Sequence, residues 1–205
     1  SEGKKPVVYT IIPFLVMRAF EQIRVDIGIN KQNVILVGVG GGLAYDKLGA
    51  THHSCEDVAL MRLIVNMNVY VPFDPEDVKS CLNQSYENSK RGFSSYLRLS
   101  KGGEAVLKRI STIEENITYI KNREKNNIVI VCHGSISSKI VEYVNKNSLK
   151  QINIVCVSCL NNDTLDNLSF HLLNIKKLKK IIIIEEHFRI GGMFEALSSR
   201  LLEKG

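Results

Sequence analysis

The chain has 205 residues, 44% of them hydrophobic and 23% charged, with a formal charge of +6 and a pI near 9.0. That composition suits one large or two small folded domains with a sizeable core. It holds no apolar run near the ~18 residues a membrane span needs, and the opening Ser1-Glu2-Gly3-Lys4-Lys5-Pro6 lacks the apolar stretch of a secretory signal. The start without an initiator Met points to a fragment, or to a cleaved or trimmed chain. The lysines are scattered except for Lys176, Lys177, Lys179 and Lys180, which read as a solvated helix end because no aromatic residue is interleaved with them. No nucleic acid and no membrane is therefore expected as a partner.

In chain order, a strand over 7–12 leads through Pro13 into a helix over 14–27, where proline at the first turn is tolerated. A strand over 34–37 runs into Gly38-Val39-Gly40-Gly41-Gly42. Ser54 with Glu56 and Asp57 opens a helix over 54–64, since acids favour a helix N-terminus. After a strand over 69–71, Asp74 precedes Pro75 as an N-cap for a helix over 75–86, and a strand follows over 96–99. The polar, glycine-containing stretch 101–115 predicts a domain boundary near residue 105. Beyond a turn over 121–127 come strands over 128–131, 154–157 and 181–184. This alternation predicts an α/β protein: two three-layer α/β domains with mainly parallel sheets, over 1–105 and 106–205, the second large enough to stand alone. The first is short of strands and helices, so an upstream portion is expected, on the same polypeptide or in a separate subunit.

Five cysteines without a compact spacing framework argue for reduced thiols and a cytoplasmic setting. Cys156-Val157-Ser158-Cys159 has the spacing of a metal or redox pair, but it closes an apolar strand with no second pair, and buried thiols are the better reading. No metal ligands are assigned. The glycine run after 34–37 invites a dinucleotide fingerprint, yet a loop rather than a helix follows it, which favours a flexible active-site loop. That loop ends at Thr51-His52-His53, where an imidazole at a helix start could hydrogen-bond a substrate oxygen or move a proton.

From Gly49-Ala50-Thr51-His52-His53-Ser54-Cys55-Glu56-Asp57 through Asn66-Met67-Asn68-Val69 to Pro72-Phe73-Asp74-Pro75, the sequence resembles the pyrimidine-binding domain of transketolases. Upstream, Phe14, Arg18, Ala19, Phe20 and Gln22 resemble the family's Phe-x-x-x-Arg-Ala-aromatic-x-Gln helix. Downstream, Tyr96-Leu97-Arg98-Leu99 with Lys101-Gly102-Gly103 resembles its Tyr-Leu-Arg-Leu strand and glycine turn. In the second half, His133-Gly134-Ser135 and Glu185-Glu186-His187 with Ile190-Gly191-Gly192 are similar to the transketolase C-terminal domain.

The resemblance implies thiamine diphosphate as cofactor, with Phe14 stacking on its aminopyrimidine, His52 contacting sugar oxygens as the catalytic histidine, and Arg98 reaching a substrate phosphate. Arg18 is a second substrate-binding candidate, and His187 reads as structural or as an interface residue. Phe14 and His52 are expected at opposite ends of one cleft that a partner completes. The family's catalytic glutamate sits in an Ala-Glu-Gln-Asn type motif just upstream, and Glu2 lacks those surroundings. Its diphosphate and Mg2+ motif, Gly-Asp-Gly…Asn, is absent from this chain too. The resemblance thus implies the C-terminal section or subunit of a transketolase acting on sugar phosphates, inactive alone, dimeric, and partnered with an N-terminal diphosphate-binding domain or subunit. A fragment of 1-deoxy-D-xylulose-5-phosphate synthase, or a non-catalytic dimerisation or regulatory module, are the alternatives.

Overall fold

The computed structural model describes residues 3–123 and 125–204. Glu2, compared above with the family's glutamate, lies outside them. Four parallel strands, β1 (Val7–Ile11), β2 (Ile35–Val39), β3 (Met67–Tyr70) and β4 (Ser94–Leu99), form one sheet in the order β1-β2-β4-β3. Five more form a second sheet in the order β5-β6-β8-β7-β9: β5 (Ser111–Glu114), β6 (Ile117–Lys121), β7 (Ile128–Cys132), β8 (Ile152–Val157) and β9 (Lys180–Ile184). β7, β8 and β9 are mutually parallel, whereas β5 and β6 run antiparallel to their neighbours. The α/β class is as the alternating pattern predicts. Continuous apolar runs such as Ile128–Cys132 suit strands covered on both faces. The edge strand β1 is different: its Val7, Val8 and Tyr9 are exposed.

The predicted helix after β1 is helical across 13–29 but not regular. Two π-type stretches, Pro13–Met17 and Ile23–Ile29, flank the single short turn α1 (Phe20–Gln22). Wide turns of this kind re-aim side chains and recur at functional sites. The helix expected from Ser54 begins later, as α2 (Asp57–Arg62), because Ser54 is held in a bridge to Gly42. In α3 (Pro75–Lys90) the Asp74 carboxylate accepts the Asp77 N–H at 2.8 Å, the predicted cap. α4 (Ile136–Lys146), α5 (Asn162–Leu173) and α6 (Met193–Lys204) complete the second half.

The two sheets meet at the carboxyl end of β3. Val71 N donates to Ser158 O at 2.7 Å, Leu160 N to Val69 O at 2.9 Å, and Gly134 N to Val71 O at 3.1 Å. One continuous apolar cluster runs through both, joining Leu15, Val58 and Tyr96 to Val129, Leu165 and Met193. The connection between the sheets is pinned rather than loose. Asp74 also accepts the Leu107 N–H and the Arg109 guanidinium, and Asp77 accepts from Phe73 N and Ser158 Oγ. Burial pushes the Asp77 carboxyl up to about 6, against the pull of its hydrogen bonds.

Candidate functional site

The glycine run after β2 turns into a short 3-10 turn, Asp46–Leu48, and no helix starts on it, so the strand-glycine-helix order of a dinucleotide site is not formed. Nor is the loop slack. Gly40 has φ +88°, and a Cβ there would stand 2.2 Å from the Tyr45 ring; Gly42 has φ +66°, and its Cβ would stand 2.7 Å from Glu186. Glycine is required because ring and carboxylate side chain pack where any other side chain would begin. Gly42 and Ser54 exchange both backbone hydrogen bonds, at 2.8 and 2.9 Å, closing the loop into a rigid flap.

That closure sets His52 beside Phe14. Their ring centroids lie 5.3 Å apart at 76°, an edge-to-face contact, so the two line one spot rather than opposite ends of a cleft. The expectation of opposite ends is corrected by the width of the loop, which folds back over the start of the 13–29 segment. The row continues on both sides. Arg18 stacks its guanidinium 4.6 Å from the Phe14 centroid, the Tyr45 ring lies 6.3 Å from His52, and Lys101 Nζ sits 5.7 Å from the Tyr45 centroid. Phe14, His52 and Tyr45 are half-buried, and Arg18 and Lys101 are exposed. His52 Nδ1 lies 3.0 Å from Thr51 Oγ1, which orients the ring and leaves Nε2 to face outward chemistry. His53 instead turns its Nε2 to Asp46 O at 3.3 Å, away from His52.

Arg98 is not in this row. It is 5% exposed, and its guanidinium donates to Asp57 Oδ2 at 2.9 Å and to the carbonyls of Ser54 and Glu186, each at 2.8 Å. Tyr96 Oη donates to the same Asp57 oxygen at 2.7 Å, and burial, reinforced by the Asp57 charge, pushes that phenol well up. The expected reach to a substrate phosphate is therefore corrected: the fork is consumed in holding the flap and the 185–192 loop to β4. The residue that sequence reasoning passed over is Lys101, three positions on, at the exposed turn after β4. Its signal was a cation at a strand's carboxyl end followed by Gly102-Gly103, where parallel α/β sheets present ligand-binding groups. A cavity of about 440 Å3 opens beside it, lined among others by Tyr9, Phe73, Ser100, Lys101 and Ser135; Phe14 and His52 do not line it.

Behind the flap, His133 at the end of β7 is 1% exposed and lies 3.3 Å from Glu185 Oε2. Burial lowers its pKa, the neighbouring carboxylate notwithstanding. Glu185 accepts the Met193 and Phe194 N–H groups at 2.8 and 3.0 Å, so it caps α6. His187 takes the Ala59 N–H at 3.3 Å on its Nε2, a structural tie between the halves. Cys132 and Cys156 are register partners with sulfurs 3.7 Å apart, and Cys81, Cys132, Cys156 and Cys159 are all buried thiols. Among the described residues no group of three His, Cys, Asp or Glu side chains could hold a metal ion.

Parallel sheets joined at their carboxyl ends, with ring, imidazole and cations displayed there, define an α/β protein whose ligand lies at strand ends. Residues 1–103 match the family described as transketolase, pyrimidine binding domain. The chain belongs to the transketolase family. It is 30% identical to a subunit of the apulose-4-phosphate transketolase of Actinobacillus succinogenes, over 99% of this chain and 64% of that protein. It is 25% identical to 1-deoxy-D-xylulose-5-phosphate synthase of a Marinomonas species, over 98% of this chain and 31% of that protein. Among solved structures, a split-gene transketolase described as an inactive beta4 tetramer superposes with a TM-score of 0.79 at 26% identity, covering 98% of this chain and 64% of its own. The chain thus spans less than two thirds of the length of these relatives.

Proposed function

We propose that this chain is the pyrimidine-contacting section of a thiamine-diphosphate-dependent transketolase, moving a two-carbon ketol unit between sugar phosphates. The observation that carries it is the row Arg18–Phe14–His52–Tyr45–Lys101, which offers a flat apolar ring, an oriented imidazole and a cation at either end. Phe14 fits the cofactor's pyrimidine: one side of its half-buried ring carries Arg18, its flank carries His52, and a stacked aromatic suits the remaining face. When bound, thiamine diphosphate would supply the nucleophilic carbon, which no side chain provides. His52 would hydrogen-bond the sugar's hydroxyls and exchange a proton through Nε2. Lys101, with Arg18 at the opposite end, would hold the phosphate as a point charge in place of the buried Arg98.

Diphosphate and Mg2+ would be held by an N-terminal domain or subunit, without which this section is inactive. The apulose-4-phosphate transketolase relative, itself one subunit, and the split-gene neighbour support a divided enzyme. The exposed apolar edge β1 supports a further covering element. A homodimer around two such half-sites and a cytoplasmic setting, favoured by five free cysteines, complete the reading. The synthase relatives cover the chain as fully, so the two-carbon donor separates the readings: a sugar phosphate for a transketolase, pyruvate for the synthase. The deciding experiment mixes the chain with a diphosphate-binding transketolase subunit and assays ketol transfer with Mg2+ and thiamine diphosphate. Transfer that requires both proteins supports the proposal. A stable complex without transfer from any donor favours a non-catalytic module.

A further inference from the structure

Three connections meet at the amino ends of β7, β8 and β9, on the end of the second sheet remote from the first. They span 121–127, 146–151 and 174–180. Asn153 knits the first to the strand layer, accepting from Arg123 N at 2.9 Å and Asn126 Nδ2 at 2.7 Å. Lys179 N donates to Asn127 O at 2.8 Å, and Lys121 Nζ donates to Leu149 O at 2.6 Å, so all three connections are tied together. The end is a built surface.

Its charge is one-sided. These connections hold nine of the chain's 27 lysines and arginines and one of its 21 acids, Glu124, so the remainder of the chain is slightly acidic. Lys176, Lys177, Lys179 and Lys180, read in the sequence as a solvated helix end, are joined in space by Arg123, Lys125, Lys146 and Lys150, all exposed. None of these shares an ion pair with a described residue. Helix ends α4 and α5 point their carbonyls here and account for a cation or two each, not for the whole set.

We propose that this basic pole docks on an anionic membrane surface. Eight of the nine cations are lysines, which lack the planar fork of specific phosphate readers and are depleted in protein interfaces. No aromatic residue lies in the three connections to stack on a base. Exposed apolar groups do stand one turn back on the flanking helices: Tyr143 on α4, and Phe170 with Leu173 on α5. Lysines drawn to anionic headgroups with a rim of apolar side chains entering the interface is the chemistry of peripheral binding. The contact is peripheral, for no helix among the described residues is long and apolar enough to cross a membrane.

The test floats the full chain with vesicles of phosphatidylcholine alone and of phosphatidylcholine with phosphatidylglycerol. Binding should rise about tenfold or more with the anionic lipid, at about fivefold per engaged lysine, and fall as salt is raised. Lys176→Glu, Lys177→Glu and Lys179→Glu together should abolish it with unchanged circular dichroism and thermal midpoint. Phe170→Ser with Leu173→Ser should weaken vesicle binding about tenfold while leaving retention on double-stranded RNA unchanged. Equal binding to both vesicles, indifference to charge reversal or to the rim changes, or retention by the duplex but not by anionic vesicles would each overturn the proposal.

Discussion

Two polar groupings lie within one loop of each other and do opposite jobs. The set Asp57–Tyr96–Arg98 is sealed, its donors and acceptors matched to one another and to the Ser54 and Glu186 carbonyls. The row Arg18–Phe14–His52–Tyr45–Lys101 is open, held by ring contacts, with its charges in solvent. Both come from motif residues of the same segments. A buried, fully partnered guanidinium has no capacity left for a ligand, whereas a lysine above a tyrosine ring keeps its donors free.

The largest expected effect breaks the sealed side. Arg98→Met leaves Asp57 buried without its counter-charge and should cost about 3–5 kcal/mol of stability in urea denaturation. Adding Asp57→Asn should recover part of that loss, and a variant with wild-type stability would show that the pair is dispensable. Next, His52→Ala should lower ketol transfer by the reconstituted enzyme about a hundredfold with an unchanged melting midpoint; a normal rate would remove the imidazole from the chemistry. A smaller effect comes from Asp77, which keeps its proton to about pH 6 in the fold. Unfolded aspartate ionises near pH 4, so this group's contribution is full below about pH 4 and lost as pH rises through about 6. Asp77→Asn should therefore flatten the stability profile across that window by about 2 kcal/mol. An unaltered pH profile would mean that Asp77 ionises normally. Last, Lys101→Gln should raise KM for a sugar phosphate about tenfold with little change in kcat, and leave a non-phosphorylated donor unaffected.

Much of the fold was legible because parallel strands buried on both faces read as unbroken apolar runs: 128–131 and 154–157 fall inside β7 and β8. β5 and β6 were not, since Ser111–Glu114 is a polar edge and Ile117–Lys121 mixes Thr and Lys into a short antiparallel strand. The irregular turns of 13–29 leave no mark in a periodicity that fits an α-helix equally well. At the site, Phe14 and His52 could be picked from motif spacing, but their direct contact depends on how far the glycine flap folds back. Arg98 was misplaced because a motif carries residue type, not depth. Tyr45 and Lys101 escaped notice because they meet only across a fold that brings 40–52 against 99–103.

The Glu186 carbonyl on Arg98, and the packing of the Glu186 side chain against Gly42, make the second half the floor of the first half's flap. Cutting the polypeptide between its two sheets would leave a stranded buried cation, an unroofed glycine turn and a shared apolar seam torn open. A gene for such an enzyme can be divided ahead of β1 without crossing that seam, but a break near residue 105 severs a single mechanical unit.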